Sequence, residues 1–290
     1  AVSGIFTAIV GGLVATFLSN SELTIKGPAA GLIVIALGCV QEFGFTGGED
    51  PAKDFQAYRL ALGVGVVAGV YQIILGLFRV GILVKLFPSA AIHGLLASIG
   101  IIIISKQFPV LMGLSPNGAP LELLANIPSF IINMNPKIAL IGILSITIVL
   151  SYGYIKNPRL KIIPAPMLML LIIIPMEGFF GIGVEGAYTF NNQVFELGRK
   201  FLVNVPDNLL AAVTLPDFSG ITTETGIKYT VLFAIIGTLE SILSAKAIDA
   251  IDPWNRKTNL DRDLLATGIA NTLSSFIGGC LLYTSPSPRD

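Results

Sequence analysis

Eight predominantly apolar runs recur along the chain, near residues 2–19, 28–43, 58–78, 88–105, 137–154, 163–180, 228–248 and 263–279. A helix needs about 20 such residues to cross the hydrocarbon core of a bilayer. A chain with this many runs, some of them short and glycine-rich, is expected to fold as an all-α polytopic membrane protein. Composition agrees: 53% of the 290 residues are hydrophobic and 12% are charged, against a charged share of roughly 25% in soluble domains. The mean hydropathy is +0.79. A soluble protein of this size would expose too much apolar surface, so the lipid bilayer is the expected surrounding. The formal net charge of +0 gives no electrostatic footprint for nucleic acid. Cys39 and Cys280 lie far apart without ligand spacing, so neither a zinc site nor a disulfide framework is expected.

Charge placement tests the count, because cytoplasmic connections carry excess Lys and Arg. Lys26, Arg79, Lys85, Lys156, Arg159, Lys161, Arg256, Lys257 and Arg262 fall in alternate connections. The intervening ones are acidic or mixed, with Glu42, Glu49, Asp50 and Asp54 in one and Glu177, Glu185, Glu196, Asp207, Asp217 and Glu224 in another. This alternation holds through all eight runs and sets the long 181–227 connection outside. Residues 120–133, "PLELLANIPSFIIN", are too short and amphipathic to cross and are expected to form an interfacial helix.

Two places break the pattern. In "SNSELTIKGPAAGLIVIAL", residues 19–37, a short β-prone piece is followed by Gly27-Pro28 and a short apolar run. Pro suits the first turn of a helix, which would leave the amides near Ala29, Ala30 and Gly31 free to donate. Irregular backbone at membrane depth is tolerated where it is buried in protein or lines a cavity, and a half-helix start there would favour an anion. An ordinary span starting from a cytoplasmic loop fits the same residues equally well.

The second place is "IIGTLESILSAKAID", residues 235–249. A carboxylate in mid-span costs at least about 2.5 kcal/mol, and Glu240 lies too deep to reach the interface. Ser244 shares its helical face at about 3.6 residues per turn. Lys246 and Asp249, near the end of the run, read as interfacial anchors. No nucleophile, metal cluster or second convergent carboxylate accompanies Glu240, so an enzyme is not expected. His93, the one histidine, reads as a packed or interfacial residue.

Transporters are often built from inverted repeats with broken helices at matching positions. "GLVATFLS" (residues 12–19) and "GIANTLSS" (residues 268–275) are weakly alike. The chain opens within an apolar run and ends on "LLYTSPSPRD", polar and breaker-rich. Residues 280–290 are therefore expected to be a non-native or disordered tail, and the chain to be cut at both ends.

"IKGPAAG", "TLESILSAKAID" and "NLDRDLLATGIANTLSSFIGG" together, in order from residue 1 to about 279, resemble the SulP (sulfate permease) family of inorganic anion transporters. The resemblance implies fourteen transmembrane segments in two inverted seven-segment repeats, of which the second to ninth are here. The first, the tenth to fourteenth and the family's STAS domain would be missing. It implies a core domain (residues 1–78 and 228–279), a gate domain (80–180) and elevator-like movement of one against the other. The anion would sit between the starts of the third and tenth segments. Ala29, Ala30 and Gly31 would then offer backbone amides, Glu240 would be the acidic position of the eighth segment, and Ser244 would touch the anion or a coupling ion. Lys26 would draw the anion from the cytoplasmic side. No cofactor is implied beyond Na+ or H+ as the coupling ion at Glu240 and Ser244. A homodimer in the full-length protein and a bacterial inner membrane follow from the same resemblance. Two other readings stay open: a nucleobase permease of the same fold, and a truncated fragment that does not transport.

Overall fold

The computed structural model of the chain describes residues 2–29, 31–82, 88–115, 118–154, 163–191, 193–202, 208–252, 254 and 256–286. Ala30, Lys85, Lys156, Arg159, Lys161, Asp207 and the side chain of His93 lie outside this set.

Every apolar run carries a helix. The first holds α1 (Val2–Val10) and α2 (Thr16–Leu18), joined by a π-helical turn over Gly11–Ala15. Then come α3 (Ile33–Glu42), α4 (Pro51–Leu77) and α5 (Ser89–Leu111). The stretch expected to be one interfacial helix is two short ones, α6 (Pro120–Ala125) and α7 (Ile127–Ile132), separated at Asn126 just ahead of Pro128. After them follow α8 (Pro136–Tyr152), α9 (Ala165–Phe180), α10 (Glu224–Ile251) and α11 (Leu260–Phe276).

Local chemistry sets several of these starts. Asp50 accepts from the amides of Ala52 (3.1 Å) and Lys53 (3.2 Å), with Pro51 opening α4. Thr223 caps α10 through the Gly226 amide at 3.1 Å, and Asn259 caps α11 through the Arg262 amide at 3.1 Å. Each such side chain satisfies an amide that the helix itself cannot. Pro51–Leu77 and Glu224–Ala250 are long and apolar enough to cross a membrane.

Contacts divide the chain into two compact units, residues 1–99 with 205–288 and residues 100–204. In the second, α8 packs on α9, and a hairpin of β2 (Gly186–Phe190) and β3 (Gln193–Leu197) is tied to the start of α8. There the Tyr188 hydroxyl donates to Asn135 Oδ1 at 2.6 Å, and Asn135 Nδ2 donates to the Glu196 carbonyl at 3.2 Å.

In the first unit α4 and α11 approach until backbones touch. A Cβ at Gly69 would lie 2.7 Å from the Thr272 amide, and one at Gly268 would lie 2.7 Å from the Ile73 amide. Small residues are what permit such contact between helices in lipid. Around this pair Leu32, Cys39, Val64, Tyr229 and Phe233 form a buried cluster. Cys39 is a fully enclosed apolar residue there.

Part of the segment expected to be a non-native or disordered tail is ordered in the structure, while residues 287–290 lie outside the described residues. Leu282–Pro286 forms β4, antiparallel to β1 (Thr24–Pro28), with Thr24 opposite Pro286 and Pro28 opposite Leu282. Leu282 and Thr284 are fully buried, and the Leu282 amide donates to Asn271 Oδ1 at 2.5 Å. A segment with breaker residues becomes ordered here because β1 offers it a backbone partner, which composition alone cannot reveal.

Candidate functional site

Pro28 does not open a helix. It ends β1, and α3 begins five residues later at Ile33. At about 1.5 Å per residue the ten residues of α3 span about 15 Å, half of the roughly 30 Å hydrocarbon core. The half-helix reading of this segment is therefore the one that fits. Its N-cap is Leu32, which has no side-chain acceptor to give, so the first-turn amides receive no side-chain cap. The Ala29 amide, expected to be free, donates to the Leu281 carbonyl at 2.9 Å.

What meets the start of α3 is Glu240 from α10. A Cβ built on Gly31 would lie 2.2 Å from Glu240 Oε1, 2.8 Å from its Cδ and 3.0 Å from Oε2. The carboxyl group fills the space a side chain at position 31 would need, so any side chain there would have to displace the end of Glu240. Glu240 is 3% exposed, and among the described residues Oε1 has no hydrogen-bond partner. Ser244, one turn further along α10, is equally buried. The hydroxyls of Thr238 and Ser241 are buried and without partners as well, although such groups in a helix commonly return to the carbonyl four residues back. Three polar groups within four residues thus retain unused hydrogen-bonding capacity at membrane depth.

Gln72 of α4 reaches the same helix. Its Nε2 would be 2.9 Å from a Cβ on Gly237, and its Oε1 accepts from Asn271 Nδ2 at 2.6 Å. Beside this polar strip a cavity of about 70 Å³ lies between α1, α3, α4, α10 and α11, bounded by Ser3, Leu32, Leu62, Phe233, Ser275 and Leu281 among others. Its walls are mostly apolar and Glu240 is not among them, so it is packing space and a poor seat for an anion.

Lys26 is placed differently from its expected role. Its ammonium contacts Asp263 Oδ2 at 2.6 Å, both side chains being almost wholly buried, and it donates to the Thr284 hydroxyl. Ser19 donates to Asp263 Oδ1 at 2.5 Å. The pair is neutral as a whole, so Lys26 adds no uncompensated positive charge near β1. Asp249, expected at the interface, accepts from the amide (2.8 Å) and hydroxyl (2.7 Å) of Thr258.

Of the predicted site residues, then, Gly31 and Glu240 come together, with Ser244 on the same helix. The Ala29 amide is bonded to Leu281 just beyond the sheet, Lys26 is in an ion pair, and Ala30 lies outside the described residues. Asp263, Gln72 and Asn271 were not singled out from the sequence. A buried lysine demands a counter-charge, and that demand was the one available signal for Asp263.

The sulfate permease family model matches residues 1–288. The bicarbonate transporter BicA of Picosynechococcus sp. is 23% identical over 282 residues, covering 96% of this chain and 46% of BicA. Sulfate transporter 2.2 of Arabidopsis thaliana is 33% identical over 113 residues, 39% of this chain and 16% of its own. The solved transmembrane domain of a cyanobacterial BicA superposes with a TM-score of 0.70 at 20% identity, over 99% of this chain and 67% of that one. The chain spans about half the length or less of these curated relatives.

Proposed function

This chain belongs to the sulfate permease family, and from that premise we propose that the protein it comes from is a secondary transporter of a small inorganic anion, sulfate or bicarbonate. Its fold is part of the inverted-repeat transmembrane fold of that family. We place it in a bacterial inner membrane, in keeping with its likeness to a cyanobacterial relative.

The observation that carries this reading is the meeting of Glu240 with the uncapped start of α3. A half-helix start offers amides and a positive dipole end to an anion. The buried carboxylate opposes a second negative charge until something neutralises it. Uptake of a proton, or of Na+ against Oε1 with the nearby hydroxyls, would remove that opposition and tie anion binding to a cation. Ser244, one turn along α10 from Glu240 and equally buried, would share the ion. The alternating-access step is taken as elevator-like, with the unit that holds Glu240 and Gly31 moving as one body.

The test is uptake of labelled sulfate and bicarbonate into proteoliposomes by the full-length protein and its Glu240→Gln variant, under Na+ and pH gradients. The expected result is gradient-driven accumulation of one anion by the wild type and loss of that accumulation in the variant. No uptake of either anion would reject the reading and turn attention to nucleobases.

A further inference from the structure

We infer that in the empty protein the Glu240 carboxylate itself holds the place of the transported anion at the start of α3, and that an incoming anion must displace it. The inference rests on the anion-transport reading above and deepens it.

Four observations converge. The whole carboxyl group, Oε1, Cδ and Oε2, sits within 3.0 Å of where a Gly31 Cβ would be, so it covers that backbone face directly. The face belongs to a helix start with no side-chain cap, where any anionic oxygen group is favoured. A carboxylate and a bicarbonate present the same planar pair of oxygens, and sulfate presents oxygens of the same kind. Finally, Oε1 is buried without a partner, so the carboxylate is not held there by a completed hydrogen-bond set.

The charge surroundings point the same way. The buried cation nearest in sequence to Gly31, Lys26, is committed to Asp263. Glu240 therefore faces the backbone at Gly31 rather than that cation. A carboxylate seated over the backbone that would serve the anion is a tethered competitor, and tethering gives it a high effective concentration. Glycine at position 31 then has a specific reason: it leaves room for whichever anion, tethered or free, is bound.

Occupancy and simple repulsion make different predictions, because shortening the side chain removes the first and keeps the second. Sodium sulfate and sodium bicarbonate would be titrated calorimetrically into the full-length protein and its Glu240→Asp and Glu240→Gln variants, at fixed total Na+. A competitor at a helix start is expected to weaken anion binding by about fivefold to thirtyfold. Both variants should therefore bind the transported anion more tightly than wild type by about that factor. If Glu240→Asp binds like wild type while only Glu240→Gln tightens, the anion reading stands and the competitor is overturned in favour of repulsion. If both variants bind more weakly, Glu240 is a ligand and the inference also falls. No binding of either anion by any of the three rejects the transport reading itself. Should the variants fail to fold, the wild type decides alone: its anion-saturated structure should show the Glu240 carboxylate withdrawn from Gly31, and a carboxylate still over Gly31 would overturn the inference.

Discussion

Removing the Lys26 ammonium would leave Asp263 as an unpaired charge in an almost fully enclosed site. Breaking such a pair from one side costs about 3–5 kcal/mol, whereas replacing both partners with apolar residues is often neutral. Lys26→Met should lower the denaturation midpoint sharply, and Lys26→Met combined with Asp263→Leu should recover most of the loss. Recovery of nothing would mean that the pair does more than satisfy itself. Gly31→Ala offers a second prediction, since its new Cβ overlaps Glu240 Oε1. Overpacking of that kind costs about 1–3 kcal/mol. In a double-mutant cycle with Glu240→Ala the two sites should couple by at least about 0.5 kcal/mol, Gly31→Ala being milder once the carboxylate is gone. At this scale Glu240 was legible in the sequence because a mid-span carboxylate is costly wherever it lies. Asp263 was not, because three residues into α11 it reads as an ordinary first-turn acid.

Among the elements, α4 and α11 have the least room to change. Gly69 and Gly268 each face backbone of the opposite helix, so a side chain there must push the helices apart. Gly69→Val is expected to unfold the purified protein at least about 5 °C below wild type, read by thermal denaturation, whereas Gly4→Ala, which meets no neighbour within 4 Å, should leave it unchanged. All eight apolar runs proved to hold helices, because length and hydropathy are local properties that a bilayer reads directly. The start of α3 was misplaced for the opposite reason. Pro28 looks like a first-turn residue, but its neighbours Thr24–Gly27 pair with Tyr283–Pro286, some 250 residues away in sequence. No local pattern carries a strand pairing of that range, nor the order it imposes on residues 282–286.

For the molecule as a whole, pH enters through carboxylates outside the spans. Asp252 is held at about 2 chiefly by hydrogen bonding from Arg256, which also reaches Glu22 at 2.8 Å. Asp217 is held at about 2 mainly by the Ser219 amide, with Gln56 Nε2 donating at 2.7 Å. Both lie below the ordinary carboxylate value of about 3.9. Their stabilisation is therefore complete above that value and is lost as pH falls towards about 2. The thermal midpoint should drop between pH 4 and pH 2, and Asp252→Asn should show a smaller drop over the same interval; an unchanged drop would remove Asp252 from the cause. The 2.6 Å bond between Lys26 and Asp263 also bears on how the chain is made. A ribosome adding about 5–20 residues per second needs roughly ten to fifty seconds to cover the sequence separation of 237 from one to the other. During that interval Lys26 has been synthesised but its counter-charge has not, and hydrocarbon would exact its full desolvation cost. Insertion must therefore keep β1 in contact with water or the translocon until α11 emerges, so the half-helix can settle only after α11 has been made.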